Sequence, residues 1–192
     1  LGGTSDIAAI AAFVGDSRQY PYLGGLQPDL YRCFMEQAWR HNSDHGTIGL
    51  IHLESHFTDE KAGALRQAAY ERLRRHWQFV NELQLFEIQN QKTYSVNVYG
   101  QQSDPSFLHA VSLYTPDTVA SSLIHNGSGP EPGIKTMEGS WDLRPHRDRI
   151  ITVDDGVLAT WKSVLEDEGV PRRQTRMVYS VNQSAADVLA RV

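Results

Sequence analysis

Three side chains that could do chemistry stand at every second position in the first third of the chain. His52, Glu54 and His56 would share one face of an extended strand, because successive side chains of a strand point to opposite faces. Two imidazoles and a carboxylate on one face could bind a divalent metal such as non-haem iron. The alternative is a ligand cleft, because ligands of open α/β sheets bind at the carboxyl ends of strands. The segment follows an apolar run and enters a loop, which favours the cleft and no metal.

Other residues with reactive side chains are better explained by structural or solvent-exposed roles than by catalysis. The sequence from 146 to 148 (His-Arg-Asp) is typical of a solvated charged turn rather than an acid–base pair. Ser55, Ser121 and Ser122 lack the glycine-flanked elbow of a serine hydrolase. Cys33 is the only cysteine and lies among apolar helix positions, which predicts a core residue. The sequence contains neither a Walker-type loop nor a Gly-x-Gly-x-x-Gly motif.

Hydrophobic periodicity predicts the elements that would position these residues. Ile48 to Ile51 is a short apolar run, typical of a strand buried on both faces of a parallel sheet. From Thr58, a plausible N-cap, apolar residues recur every three or four positions, which predicts a helix whose last turn reaches His76. Phe79 to Phe86 and Tyr94 to Tyr99 predict two further strands that form an antiparallel hairpin. The predicted unit is β-α-β-β.

Further elements are predicted before and after this unit. Pro28 suits the first turn of a helix that leads into it, and turn residues follow Gly100. Later segments predict a strand, a helix, a strand, a helix that begins at Asp154, a loop and strand over residues 170–182, and a last helix. The predicted divisions are residues 1–27, an N-terminal helix and loop; 28–100, the central unit; and 101–192, a connecting region with the start of a recognition region.

Composition limits the class of protein. The 192 residues are 40% hydrophobic and 21% charged, which is ordinary for a globular chain, and no apolar run approaches the roughly 18 residues of a membrane span. A single cysteine favours a reducing cytoplasm. The sequence does not begin with methionine and shows no signal peptide, so we expect a piece of a longer cytoplasmic protein.

The charge pattern bears on nucleic-acid binding. A formal net charge of −5 argues against a main phosphate-binding surface. The arginines are nevertheless clustered, and each cluster is either solvated or in contact with a DNA backbone. The candidates for backbone contact are Arg66, Arg72, Arg74, Arg75, Arg172, Arg173 and Arg176.

The central unit resembles the Eco57I-like N6-adenine DNA methyltransferases of restriction-modification systems. Members of that family have a strand ending Ile-x-Pro-x-Ser, a helix opening Thr-x-x-x-Gly and reaching Leu-Arg, a strand, a loop with phenylalanine, and a last strand. Leu53 replaces the usual proline. The segments LQPDLYRCFMEQAW, SGPEP, WDLRPHRDRI and QTRMVY are similar to large actinobacterial members. The counterparts over roughly residues 28–100 are Ile51, Glu54, Ser55, Phe57, Thr58, Gly63, Leu65, Arg66, Phe86 and Tyr94 to Tyr99.

The resemblance implies a fold and a reaction. The fold is α/β, the back half of a Rossmann-like class I methyltransferase sheet that ends in an antiparallel hairpin, followed by a mixed α/β extension. The reaction is methyl transfer from S-adenosylmethionine to N6 of an adenine flipped out of DNA. An aromatic side chain before the last strand would stack on that base, with Phe86 as first candidate and Tyr94 as second. The cleft-lining candidates at the base pocket are His52, Glu54, His56 and Phe57.

Two motifs of the family do not occur in this sequence. These enzymes bind S-adenosylmethionine through a glycine-rich turn and hold the adenine through an Asn-Pro-Pro-aromatic motif, and no Pro-Pro pair is present here. We therefore expect a fragment of a restriction-modification or phage-defence methyltransferase, without catalytic residues or bound cofactor of its own. Its expected partners are DNA, the rest of the parent chain, and a second copy through the exposed edge of the Ile48–Ile51 strand. The alternative is a non-enzymatic α/β module that binds protein or nucleic acid.

Overall fold

A mixed sheet forms the centre of the computed structural model, which describes residues 2–27 and 29–191 and contains five strands in that part of the chain. Across the sheet the order is β1-β3-β2-β4-β5. Strand β3 is antiparallel to both β1 and β2, β4 is parallel to β2, and β5 is antiparallel to β4. Because β1 and β2 run in the same direction, their carboxyl ends meet at one edge. The strands are β1 Ile48–His52, β2 Leu73–Val80, β3 Thr93–Tyr99, β4 Ser106–Leu113 and β5 Ile151–Asp154.

Helices cover parts of both faces of the sheet, so the fold is mixed α/β. Within the described ranges, no helix is long and apolar enough to cross a membrane. The helices are α1 Gly2–Val14, α2 Leu30–Arg40, α3 Ser55–Thr58, α4 Gly63–Tyr70, α5 Pro116–Leu123, α6 Asp155–Leu165 and α7 Gln183–Leu189. Short 3-10 turns occupy Pro21–Leu23, Glu60–Ala62, Asn81–Leu83, Arg147–Arg149 and Arg172–Gln174. The prediction of a strand within residues 170–182 was wrong, because that segment is a 3-10 turn followed by irregular structure.

Several predicted elements are present. The antiparallel hairpin is confirmed, and β2 and β3 form it. Helix α6 begins after Asp154, whose carboxylate accepts hydrogen bonds from the backbone amides of Gly156 and Val157. The helix expected from Pro28 is α2. Pro28 itself lies outside the described residues, and Asp29 is the N-cap of α2, accepting from the amide of Tyr31.

The prediction of one helix from Thr58 to His76 was wrong. Asp59, rather than Thr58, caps the next turn by accepting from the amide of Lys61, and α4 ends at Tyr70. Leu73–Val80 is strand β2, so the strand expected at Phe79 to Phe86 lies earlier in the chain. The arginines that follow α4 are therefore strand and turn residues rather than a last helical turn. Both faces of β2 are largely buried, which removes the apolar–polar alternation that would have identified a strand.

The first strand also differs from its prediction. We expected Ile48 to Ile51 to be buried on both faces of a parallel sheet, but β1 is an edge strand paired antiparallel to β3. Ile48 and Leu50 pack against the main core, whereas Gly49 and Ile51 are exposed, Ile51 by 57%. In the described part of the chain β1 is paired on one side only. The expected free edge is thus present.

Buried apolar clusters of the described residues hold the sheet between its helices. The largest lies under α2, α4 and α6 and includes Phe57, Tyr70, Phe107 and Trp161. A second, around Trp77 and the α5 side chain Val119, covers the opposite face. A third joins the N-terminal segment to α2 and α4, and Cys33 is buried in it, as predicted. The face under α2, α4 and α6 also contains the buried polar groups described next.

Candidate functional site

A polar cleft of about 440 Å³ lies at the edge of the sheet where β1 and β2 end. Its walls come from the end of β1, helix α3, the end of β2, the start of β3 and the segment after α6. Carboxyl ends of neighbouring strands are a common place for ligands in open α/β sheets. The residues that line the cleft are Leu53, Glu54, Ser55, Thr58, Gln78, Gln91, Lys92, Thr93 and Tyr179.

Glu54 is the buried charged group of this cleft. Its side chain is largely buried, and Oε1 accepts a hydrogen bond from Nε2 of His76 at 2.8 Å. Oε2 has no hydrogen-bond partner among the described residues. Burial alone would raise the pKa of Glu54, but attraction to His76 outweighs it and lowers that pKa to about 2. Glu54 is therefore a carboxylate at neutral pH.

Two further groups extend the Glu54–His76 contact into the core. Nδ1 of His76 lies 2.8 Å from Nδ1 of His109, and Nε2 of His109 lies 3.2 Å from the carbonyl oxygen of Val178. His76 and His109 are fully buried and stand opposite each other in the parallel pairing of β2 and β4. The register of these two strands thus positions the imidazoles in a chain that begins at the cleft.

The hydrogen bonds of His109 determine which of its ring nitrogens carries the proton. A carbonyl oxygen only accepts, so Nε2 of His109 donates to Val178. Burial lowers the pKa of His109 to about 3, so its ring is neutral and its Nδ1 accepts from His76. Nδ1 of His76 therefore donates to His109, and its Nε2 contacts the Glu54 carboxylate. The carboxylate of Glu54 is thus held through one oxygen by a hydrogen-bonded pair of buried imidazoles.

His52, His56 and Phe57 lie beneath the cleft rather than on its surface. Nδ1 of His52 donates to the carbonyl of Leu53 and its Nε2 accepts from the hydroxyl of Tyr99, each at 2.8 Å. Burial lowers the pKa of His52 to about 4 and that of His56 well below its usual value. His56 and Phe57 are fully buried. In the ranges described, no group of three or more His, Cys, Asp or Glu side chains is placed to hold a metal.

The two aromatic candidates pack on the other face of the sheet. Phe86 lies in the loop between β2 and β3 and is 42% exposed. Its ring meets the ring of Tyr94 edge-on, with 4.9 Å between centroids. Tyr94 is buried and stacks on Phe79 in the cluster under α5. The structure thus brings Phe86 and Tyr94 together but separates both from Glu54.

The first group of arginines is mostly engaged within the fold. Arg66 is buried, and its guanidinium donates to the backbone carbonyls of His56, Asp59 and Gln174. Arg72 lies over the rings of Tyr22 and Trp39. Arg74 donates to the carbonyls of Arg72, Leu73 and Gln101. Arg75 is exposed.

The second group of arginines forms ion pairs. Arg173 pairs with Asp155, Asp104 and Glu71. Arg176 pairs with Glu166, and Arg172 lies 3.2 Å from Asp155 with half of its side chain exposed. These contacts attach the segment after α6 to the rest of the fold and so fix the approach of Tyr179 to the cleft.

Sequence patterns had indicated Glu54 but not its partners. His76 was assigned to a helix end, and His109 and Gln78 carried no motif. The sequence feature that could have identified His109 was its position as a polar residue inside an otherwise apolar strand.

No protein-family model matches this chain, and a search of curated proteins finds no match either. Chemically, the arrangement offers a ligand one fixed, ionised hydrogen-bond acceptor in a polar cleft.

Proposed function

We propose that this chain forms the later part of the catalytic sheet of an S-adenosylmethionine-dependent DNA adenine-N6 methyltransferase of a restriction-modification or phage-defence system. The main support is the order β1, helix, β2, β3, with β3 antiparallel between two strands of common direction. That order agrees with the strand, helix, strand and hairpin strand of the resemblance. The residues after β1 that match the family, Glu54 and Ser55, line a cleft at the carboxyl edge.

In this proposal the cleft forms one wall of the pocket for the flipped adenine. The cofactor and the reacting amino group would be held by the glycine-rich turn and the Asn-Pro-Pro-aromatic motif, both supplied by a longer parent chain. S-adenosylmethionine is thus a cofactor of the parent, and the 192 residues alone should not methylate DNA. The ionised Glu54 supports this assignment because a base with an exocyclic amino group presents a donor to it.

The solvent exposure of the candidate side chains decides which of them we propose to contact DNA. Phe86 is half-exposed on a loop, whereas Tyr94 is buried, so Phe86 is the stronger candidate for stacking on a DNA base, at a position separate from the Glu54 cleft. For the phosphate backbone, Arg75 and Arg172 have exposed guanidinium groups, whereas Arg66 is buried and fully engaged. We assign the backbone contacts to Arg75 and Arg172.

Calorimetry with S-adenosylmethionine tests the proposal. We expect no binding by the 192-residue chain and binding by a chain extended upstream by about one domain length, roughly 150 residues. The extended protein should methylate adenine in duplex DNA, and its Phe86→Ala variant should lose most of that activity. Failure of the extended protein to bind the cofactor would contradict the methyltransferase assignment.

One observation favours the alternative of a binding module. Ile51 and Leu53 are 57% and 46% exposed on the edge strand and just after it. Exposed apolar side chains beside a free sheet edge favour pairing with another chain. Light scattering across a range of concentrations tests this: an Ile51→Lys variant should remain monomeric where the parent sequence associates. Association without cofactor binding in the extended protein would favour the module.

A further inference from the structure

Asn126 and Gly127 form the only Asn-Gly pair of the sequence and lie in the turn that follows helix α5. In such a pair the backbone nitrogen of the glycine can attack the side-chain carbonyl carbon of the asparagine and close a five-membered succinimide ring. Glycine favours the attack because it has no side chain to obstruct the ring. Asn126 is exposed, so water can reach the ring that forms. The pair is thus a candidate for self-modification, and the groups around it decide the rate.

His125 supplies a base for the attacking nitrogen. The backbone amide of Gly127 donates a hydrogen bond to Nδ1 of His125 at 3.0 Å. Because a backbone amide only donates, Nδ1 is the unprotonated nitrogen of this ring. The ring of His125 packs against the ring of His146, with 4.9 Å between centroids, which holds it in place. His125 is therefore positioned to take the proton of the Gly127 amide as that nitrogen attacks.

Ser128 polarises the carbonyl group that would be attacked. Its backbone amide and its hydroxyl both donate to Oδ1 of Asn126, at 2.9 and 2.7 Å. The contact with the backbone amide identifies this side-chain atom as the oxygen, because an amide N–H needs an acceptor. Two donors on one carbonyl oxygen form the arrangement that stabilises the oxyanion of a tetrahedral intermediate.

Gly127 and Arg147 complete the turn. Gly127 has a φ of +83°, a left-handed conformation that glycine adopts without strain, and a Cβ at this position would overlap Cδ of Arg147. The guanidinium of Arg147, 65% exposed and 3.8 Å from Asp148, brings a positive charge to the same turn. Positive charge favours the anion that develops on Asn126 during the attack. The turn therefore holds a nucleophile with its base and an electrophile with two donors.

We propose that the folded protein catalyses its own deamidation at Asn126. The nitrogen of Gly127 forms a bond to Cγ of Asn126 while its proton passes to Nδ1 of His125. The oxyanion on Oδ1 is held by the two donors of Ser128, and its collapse breaks the bond between Cγ and Nδ2. The imidazolium of His125 returns the proton to the departing nitrogen, which leaves as ammonia. Water then opens the succinimide at either carbonyl and gives isoaspartate or aspartate.

This modification is independent of the methyltransferase proposal. None of the residues that carry it lines the cleft at Glu54, and the reaction needs neither DNA nor S-adenosylmethionine. His125 and Arg147 line a separate cleft of about 470 Å³. The product is a carboxylate in the turn packed against Arg147, so deamidation changes the charge beside that second cleft.

Peptide mass spectrometry of the 192-residue chain, incubated near neutral pH and sampled over time, measures the reaction. We expect isoaspartate at residue 126 to form at least about tenfold faster in the folded chain than in the chain denatured with guanidinium chloride. Isoaspartate is the diagnostic product, because direct hydrolysis of the side chain gives aspartate alone. Asn90, which is exposed and precedes Gln91, is the internal control and should remain unchanged over the same time.

Variants of the two assisting residues separate their roles. His125→Gln keeps an oxygen that can accept from the Gly127 amide but removes the base, so the rate should fall at least about tenfold. Ser128→Ala removes one of the two donors to Asn126 and should slow the reaction about tenfold or more, whereas Ser128→Thr keeps the hydroxyl and should restore most of the rate. Ser121→Ala, an exposed change on α5, should leave the rate unchanged. Urea unfolding shows that each variant is folded.

Three results would overturn the inference. The first is isoaspartate formation that is no faster in the folded chain than in the denatured one. The second is an unchanged rate in folded His125→Gln, and the third is aspartate at residue 126 without isoaspartate. Acceleration by folding that is lost in both His125→Gln and Ser128→Ala would establish that the turn catalyses its own modification.

Discussion

Two buried carboxylates of this protein, Glu54 and Asp142, have pKa values lowered to about 2 but use their oxygens differently. Asp142 is 1% exposed, and its two oxygens accept four hydrogen bonds, three from Arg144 and one from the amide of Gly133. Hydrogen bonds from Arg144 are the main cause of its lowered pKa. Glu54 has one partner, His76, and leaves one oxygen open at the cleft.

The difference separates a carboxylate whose two oxygens are both engaged from one with an oxygen that accepts no hydrogen bond at a cleft. The partners of Asp142 lie close in sequence, and its four hydrogen bonds hold the loop between α5 and β5 in one conformation. The partner of Glu54 comes from another strand, and the geometry leaves Oε2 unused. A low pKa is therefore shared by both carboxylates, and only the count of partners distinguishes them.

The largest effect we predict is loss of stability in mild acid, which should come from histidines and not from either carboxylate. Burial lowers the pKa of His52 to about 4 and of His109 to about 3, and that of His56 well below 6.5. The unfolded chain then binds more protons below about pH 6.5, so stability is complete above that pH and falls as the pH drops toward about 4. Each histidine should cost about 1.4 kcal/mol per pH unit over this window.

Urea unfolding at several pH values between about 7.5 and 5 measures this loss. Both carboxylates keep their charge throughout the window, since their pKa values are about 2. An unfolding free energy that stays constant over the window would show that the three imidazoles are not held neutral in the folded state.

The next largest effect should follow Asp142→Asn. The variant keeps the shape but loses the charge that faces Arg149, whose side chain is 1% exposed with one nitrogen 3.8 Å from Oδ1 of Asp142. A guanidinium cannot give up its proton, so the change leaves a buried positive charge without its partner. We expect a loss of about 3 kcal/mol in unfolding free energy. Glu138→Gln, on the exposed part of the same loop, is the matched control and should change it little.

The sequence allowed prediction of the elements whose periodicity is clear. Helix α6 with its Asp154 cap and strand β3 were identified because one stripe or one run of residues is apolar. Strand β2 was missed because its sequence, LRRHWQFV, has charged residues next to a helix and buries side chains on both faces. Local sequence cannot distinguish such a strand from the end of the preceding helix.

The candidate site could be predicted only in part, for a topological reason. Glu54 was found because it follows an apolar strand, but its partner His76 depends on the position of β2. The contact between His76 and His109 depends on β4 pairing parallel to β2, on the side away from β3. Nothing in the spacing of the two histidines determines that pairing, because it is a property of the whole sheet.

Glu54→Gln should destabilise the fold less than Asp142→Asn and so test the comparison directly. An imidazole, unlike the guanidinium of Arg149, can be neutral, so removal of the Glu54 carboxylate does not leave an obligatory charge buried beside it. The amide of the variant can still contact His76. We expect a loss of about 1 kcal/mol, measured by urea unfolding near pH 7.5. Equal losses for the two variants would show that Glu54 is as structural as Asp142.

The smallest effect should come from Phe86→Ala, which applies the same distinction to two aromatic residues. Phe86 is 42% exposed and its described ring contact is the edge-on one with Tyr94, so its removal should cost about 1 kcal/mol or less. Tyr94→Ala is the matched comparison: that ring is 4% exposed and stacks on Phe79, and its loss should cost about 3 kcal/mol. A large drop in DNA methylation by the extended protein with this small loss of stability would show that Phe86 contacts DNA rather than supporting the core. A loss of stability equal to that of Tyr94→Ala would instead place it with the core.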